Sequence, residues 1–71
     1  MTYRIGRHAA RRMAEKNISL ADLDAVISNP DRVEAEGGSR NLYEGQVGGR
    51  RLIVVVEFAA DPPVVVTVYP L

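Results

Sequence analysis

Two runs near the end of the chain, RRLIVVVEF at 50–58 and VVVTVY at 64–69, constrain the fold more than any other feature of the sequence. Branching at Cβ stiffens the side chain and suits an extended backbone, so runs rich in valine and isoleucine read as strands. Both runs are apolar at odd and even positions alike, which requires both faces of each strand to be covered. They belong at the centre of a sheet or at a contact between copies of the chain. The intervening ADPP is a turn, because its prolines have no N–H to offer a ladder.

Upstream, RNLYEGQV at 40–47 reads as another strand, joined to the valine-rich one by Gly48-Gly49. Two glycines can supply the positive φ angles of a tight hairpin. RVEAE at 32–36 is a weakly apolar strand suited to an edge. Before Pro30 the period changes from two to that of a helix. Ile5, Ala9 and Met13 recur at four-residue steps and line one face. Lys16 ends that helix, Asn17 suits a left-handed cap, and Ile18 is placed to fold back on it. Ser19 is an N-cap for a second helix, with Asp22 as a short-armed capping-box partner. Leu20, Leu23, Val26 and Ile27 form its apolar stripe, Asp22 and Asp24 sit near its positive end, and Pro30 stops it. The expected fold class is α+β, one domain over residues 1–71, with two N-terminal helices packed on one face of a four-stranded antiparallel sheet in the order ααββββ. By strict alternation Val65, Thr67 and Tyr69 share one face of the last strand and Val64, Val66 and Val68 the other. Two short helices cover one face only, so the second apolar face is expected to stay open for a ligand, a partner or a second copy.

The chain has 71 residues, no cysteine and one histidine. A domain of this size buries only about 60% of the surface its unfolded chain exposes, so its core has to be efficient. Disulfides and cysteine-built zinc sites are excluded, and no metal or cofactor is expected. The start of the chain lacks the apolar core of a signal peptide, and LIVVV is far shorter than the roughly 18 residues a membrane helix needs. A soluble, cytoplasmic protein is the expectation. Nine basic and nine acidic groups cancel, which argues against strong nonspecific nucleic-acid binding. The cancellation is not local. Residues 1–16 carry Arg4, Arg7, Arg11, Arg12 and Lys16 against Glu15, whereas residues 17–36 carry Asp22, Asp24, Asp31, Glu34 and Glu36 against Arg32. The stretch RHAARRM at 7–13 holds three arginines and the histidine.

The order His8-Ala9, Arg12-Met13, EKNIS, an acidic helix ending NPD, an arginine-tyrosine strand, a glycine-bounded hairpin and a terminal VTVY resembles the small bacterial family called domain of unknown function 4258. The resemblance runs from about Ile5 to Tyr69; Asn17 stands where glycine is expected, and asparagine tolerates the same left-handed geometry. That family is similar to metal-independent ribonuclease toxins of the RelE, BrnT and colicin E5 type. The resemblance implies helices followed by an antiparallel sheet, an RNA substrate, no cofactor and an antitoxin-like partner.

Metal-free RNA cleavage needs a base for the 2′-hydroxyl proton, an acid for the leaving 5′-oxygen and cations for the charge on phosphorus. Histidine is the side chain that exchanges protons near neutral pH. His8 lies at the edge of the apolar stripe and Arg12 one helical turn on, so the two adjoin and can face one phosphate. The expected catalytic residues are His8 as base or acid, Arg12 as phosphate clamp, Thr67 positioning a phosphate oxygen and Tyr69 donating a proton or stacking. The expected substrate-binding residues are Arg40, Tyr43 and Arg51, with Tyr43 able to stack a base. Arg4, Arg7 and Arg11 cluster opposite the stripe as a solvated face, while His8 and Arg12 look toward the sheet. Each of these residues also has a purely structural reading: His8 and Tyr69 packing between helix and sheet, and Arg50 and Arg51 keeping a hairpin soluble. The rival to catalysis is therefore a noncatalytic binding module, as a homodimer through the uncovered sheet face or as a toxin–antitoxin component.

Overall fold

The computed structural model describes residues 2–71. Its elements are β1 (Arg4–Ile5), α1 (Arg7–Lys16), α2 (Leu20–Ser28), β2 (Arg32–Ala35), β3 (Arg40–Val47), β4 (Arg50–Glu57) and β5 (Val64–Pro70). The fold is α+β, and its sheet corrects the expected four antiparallel strands. Five strands lie in the order β1-β5-β4-β3-β2, and β1 runs parallel to β5. Ile5 does point into the core, as its spacing from Ala9 and Met13 implies, but from a strand and not from the helix. Two residues are too few to show a period of two. Arg4 therefore stands in the sheet and is not part of the helical arginine face. Gly6 follows, its N–H donating to Val65 at 2.9 Å. A Cβ on Gly6 would lie 3.0 Å from the Val65 carbonyl oxygen, so glycine permits this crossing from strand to helix.

The turn between the helices forms as its residues dictate. Asn17 adopts φ 55°, and the Ile18 N–H donates to the Met13 carbonyl at 2.9 Å, closing a Schellman-type end with Ile18 buried. Ser19 and Asp22 form a reciprocal capping box at the start of α2. From the β4 end of the hairpin, the Arg50 guanidinium donates to the carbonyls of Lys16 and Asn17 at 2.7 and 2.5 Å, and it lies 3.7 Å from the Asp22 carboxylate. One side chain thus satisfies orphan carbonyls at the end of α1 and ties the hairpin to the helical turn. At that hairpin Gly48 and Gly49 both take positive φ, 59° and 79°.

Both helices pack on one face of the sheet. Ala9, Ile18, Leu23 and Val26 meet Leu52, Val54, Val56, Val65 and Val68. α1 lies over β5, and α2 lies over β3 and β4. Gly45 of β3 lies directly under α2: a Cβ there would meet Val26 Cγ1 at 3.4 Å and Val26 Cα at 3.5 Å. Alanine fits that space, but valine would force α2 outward. Gly45→Val is expected to destabilise by about 1–3 kcal/mol, as overpacking does, and Gly45→Ala far less. Urea denaturation of the two variants checks this.

The opposite face carries its own small cluster of Leu42, Ile53 and Val55, flanked by Val66 and Tyr69. The expectation of an open apolar face is corrected here. Leu42, Ile53 and Val55 are only 9%, 2% and 4% exposed. The cluster is bordered by Tyr69 and, on neighbouring ladder positions, by Arg40, Glu44, Arg51 and Glu57. Arg40 binds Glu57 at 2.9 Å, Arg32 binds Glu44 at 2.6 Å, and Arg51 bridges Asp31 at 3.0 Å and Glu44 at 3.1 Å. Long side chains held in this way cover apolar surface with their stems.

Glu57 accepts bonds from the Ser39 hydroxyl, from the Ala59 N–H at 3.0 Å and from Arg40. In that order of importance, these donors hold its carboxyl down at about 2, against an ordinary 4.5. A depressed carboxyl stabilises the fold fully above its unfolded value and ceases to do so as pH falls through its folded one. Glu44 and Asp22 are lowered as well, by Arg32 and by the Ser19 N–H respectively. The melting temperature is expected to hold above pH 4.5 and to fall between there and about 2, with Glu57→Gln flattening part of the fall.

Candidate nucleic-acid interface

The eight arginines divide cleanly. Arg32, Arg40, Arg50 and Arg51, all in the sheet, have carboxylate partners. Among the described residues, Arg4, Arg7, Arg11 and Arg12 make no ion pair with any carboxylate. Three of these four are on α1. α1, with its three unpaired arginines, lies over the β5 side of the sheet, and α2 over the β3 and β4 side. Zero net charge conceals this separation.

Along α1, Arg7, His8 and Arg11 line a solvent-open hollow of about 390 Å³. Arg7 and Arg11 are one turn apart, and His8 is adjacent to Arg7 on the flank leading back toward the sheet. The expectation that His8 looks inward with Arg12 is corrected. His8 is exposed and shares its hollow with the two surface arginines, whereas Arg12, about 60° from the buried Ala9 around the helix where His8 is about 100°, is half-buried. Gly6 precedes the helix with no side-chain cap.

The structure does not bring Thr67 and Tyr69 to this place. Two residues of β5, Val66 and Thr67, stand opposite Val55, because the register shifts there by one: Val56 pairs with Val65, but Val55 pairs with Thr67 and Ile53 with Tyr69. This β-bulge reverses the alternation beyond it. Val65 and Val68 point under the helices, while Thr67 and Tyr69 share the helix-free face with Val55 and Ile53. Tyr69 packs on that face's cluster. The convergence of His8 and Arg12 with Thr67 and Tyr69 is therefore not formed.

Nor do the expected substrate-binding residues gather. Arg40 and Arg51 lie on the helix-free face, each neutralised by carboxylates, in company with Glu44 and Glu57. Tyr43 pairs with Val54 and packs against the core beneath the helices, so its ring is not offered to a base. The residues missed are Arg7 and Arg11. Their signal was in the sequence, as the one arginine pair at i and i+4 with no acidic residue within the same helical turn.

Tyr3 shows what a spent ionisable group looks like here. It donates to Asp24 of α2, and burial together with that carboxylate pushes its hydroxyl up to about 12. It fastens the N-terminal segment to α2 and has no proton to give near neutral pH.

The arrangement defines a small α+β domain with a free basic helix face and a neutralised sheet face. The model of a family described as a domain of unknown function (DUF4258) matches residues 5–70, and the chain belongs to that family. No curated protein and no solved structure matches it. No helix among the described residues is long and apolar enough to cross a membrane, and no group of histidine and carboxylate side chains there could hold a metal ion.

Proposed function

We propose that the chain acts on RNA at the α1 face, as a relative of the metal-independent ribonuclease toxins of the RelE, BrnT and colicin E5 type. Arg7 and Arg11 hold a backbone phosphate, Arg12 adds charge from the flank, and His8 moves the proton. The observation that supports this most is the division of the arginines. Those of the sheet are held by carboxylates, and those of α1 are unpaired, Arg7 and Arg11 around a hollow that His8 also lines.

In the cleavage step the 2′-oxygen bonds to phosphorus and its proton passes to the His8 imidazole. The bond from phosphorus to the 5′-oxygen breaks, and that oxygen takes up a proton from the imidazolium or from water. The products are a 2′,3′-cyclic phosphate and a 5′-hydroxyl end. Guanidinium groups are suited to the intermediate because their planar forks match phosphate oxygens.

A second reading, a noncatalytic RNA-binding module, is favoured by the position of Tyr69. With that phenol on the other face, His8 lacks an acid to work with it. One experiment separates the two. A short single-stranded RNA is incubated with the protein in EDTA, and both binding and strand ends are followed. Cyclic-phosphate ends support cleavage, binding alone supports the module, and neither overturns both.

A further inference from the structure

We propose that the free edge of β2 is the interface of a homodimer, formed by antiparallel pairing of β2 with β2 of a second copy about a twofold axis at Val33. The proposal is independent of the RNA reading. β2 is hydrogen-bonded to β3 on one side and is the last strand of the sheet on the other, with all four residues exposed. The Glu36 N–H donates to the Arg40 carbonyl at 2.9 Å, across the ladder that pairs Glu34 with Leu42 and Arg32 with Glu44. Alternation along an antiparallel ladder then turns the N–H and C=O of Arg32 and Glu34 toward β3 and those of Val33 and Ala35 outward.

Charge selects the partner and the register. Three antiparallel registers align the outward groups of two copies, centred on Val33, Glu34 or Ala35. Centring on Glu34 sets Arg32 against Glu36 twice, but also sets the Glu34 carboxylate against its own copy at the axis. Centring on Ala35 sets Glu34 against Glu36. Centring on Val33 alone opposes no like charges: Arg32, which in its own chain meets Glu34 and Glu44, faces the partner subunit's Glu34, twice by symmetry. In that register the Val33 N–H and C=O exchange two hydrogen bonds with the partner subunit's Val33. On the helix-bearing face the Val33 side chains, 49% exposed in the single chain, cover each other. The result is a ten-stranded sheet across the dimer, two five-stranded sheets joined at their β2 edges. The basic α1 faces lie at its two far ends, because α1 sits over β5 and the joined edge is β2.

Sedimentation equilibrium tests this. An interface of one short strand is at the weak end of the scale, so the mass is expected to rise from 7.8 kDa toward twice that value between ~1 μM and ~1 mM protein. Val33→Pro removes the outward N–H without touching a bond to β3, and is expected to leave the chain monomeric throughout. Glu34→Arg, which leaves the backbone intact and so serves if the proline variant fails to fold, is expected to do the same. Mixing Glu34→Arg with Arg32→Glu restores opposite charges across the axis and is expected to restore the two-chain mass. A chain that is monomeric at ~1 mM overturns the proposal. So does a dimer indifferent to both Val33→Pro and Glu34→Arg, and so does an edge whose Val33 and Ala35 amides gain exchange protection only when a foreign peptide is added.

Discussion

His8→Gln is expected to slow RNA cleavage by about 10²–10⁴-fold, the usual contribution of a positioned proton-transfer group, while changing RNA affinity less than about twofold. Glutamine keeps much of the shape and hydrogen-bonding ability of the imidazole but cannot exchange its proton. Because His8 is exposed and outside the apolar core, the substitution is expected to leave the melting temperature within a degree or two of the parent's. That separation of effects distinguishes a catalytic histidine from a packing one. In the structural reading of His8, stability would fall and no activity would change. Timed gel analysis of a labelled single-stranded RNA, with anisotropy for affinity, reads both quantities.

The second large effect is expected from removing both hollow-lining arginines. Arg7→Gln with Arg11→Gln is expected to weaken RNA binding by about 10–100-fold at low salt and to reduce the slope of log affinity against log salt by about 1.4, since each lost single-strand phosphate contact contributes about 0.7. Neither arginine has a carboxylate to leave behind, so the fold loses no ion pair. The comparison variant is Arg40→Gln with Arg51→Gln. It removes the same formal charge from the sheet face, but there the guanidinium groups already serve Glu57, Glu44 and Asp31. It is expected to leave the salt slope unchanged and to cost stability. If nucleic acid answered only to total charge, the two double variants would behave alike.

Much of the fold was legible because local chemistry and tertiary packing agree. Asn17, Ser19 and Asp22 act at the helix ends as their side chains predispose them to, and Gly48-Gly49 closes the hairpin it suits between RNLYEGQV and the valine-rich strand. Two features lay outside what periodicity can carry. β1 is two residues long, and it is a strand only because Val64 and Val65 offer it a ladder. The bulge at Val66 has no marker in VVVTVY, where any residue could be the extra one; it is fixed by the pairing with β4, a tertiary contact. Its consequence for the site is large, since one additional residue transfers Thr67 and Tyr69 to the other side of the sheet. The candidate site was half legible for a related reason. The concentration of arginine in the N-terminal segment was plain, but which arginines stay free depends on where Asp31, Glu44 and Glu57 are brought by the sheet, and all three are brought to Arg40 and Arg51.

The separation of charge also reconciles two observations that conflict at the level of composition. A chain with equal numbers of acids and bases is a poor general polyanion binder. Here α1 carries the unpaired bases together, whereas Asp22, Asp31, Glu34, Glu44 and Glu57 are each held by an arginine of the sheet, so attraction to a phosphate backbone is local and oriented. Binding is expected to be weak at physiological salt and strongly enhanced below it.

The most direct test is chemical-shift mapping of the amide-labelled protein during titration with a short single-stranded RNA at low salt. If RNA binds at α1, the largest shifts fall on Arg7 through Arg12, with Thr67, Tyr69 and the amides around Arg40 and Arg51 hardly moved. Shifts concentrated on the helix-free sheet face, or none at all up to millimolar RNA, would contradict it.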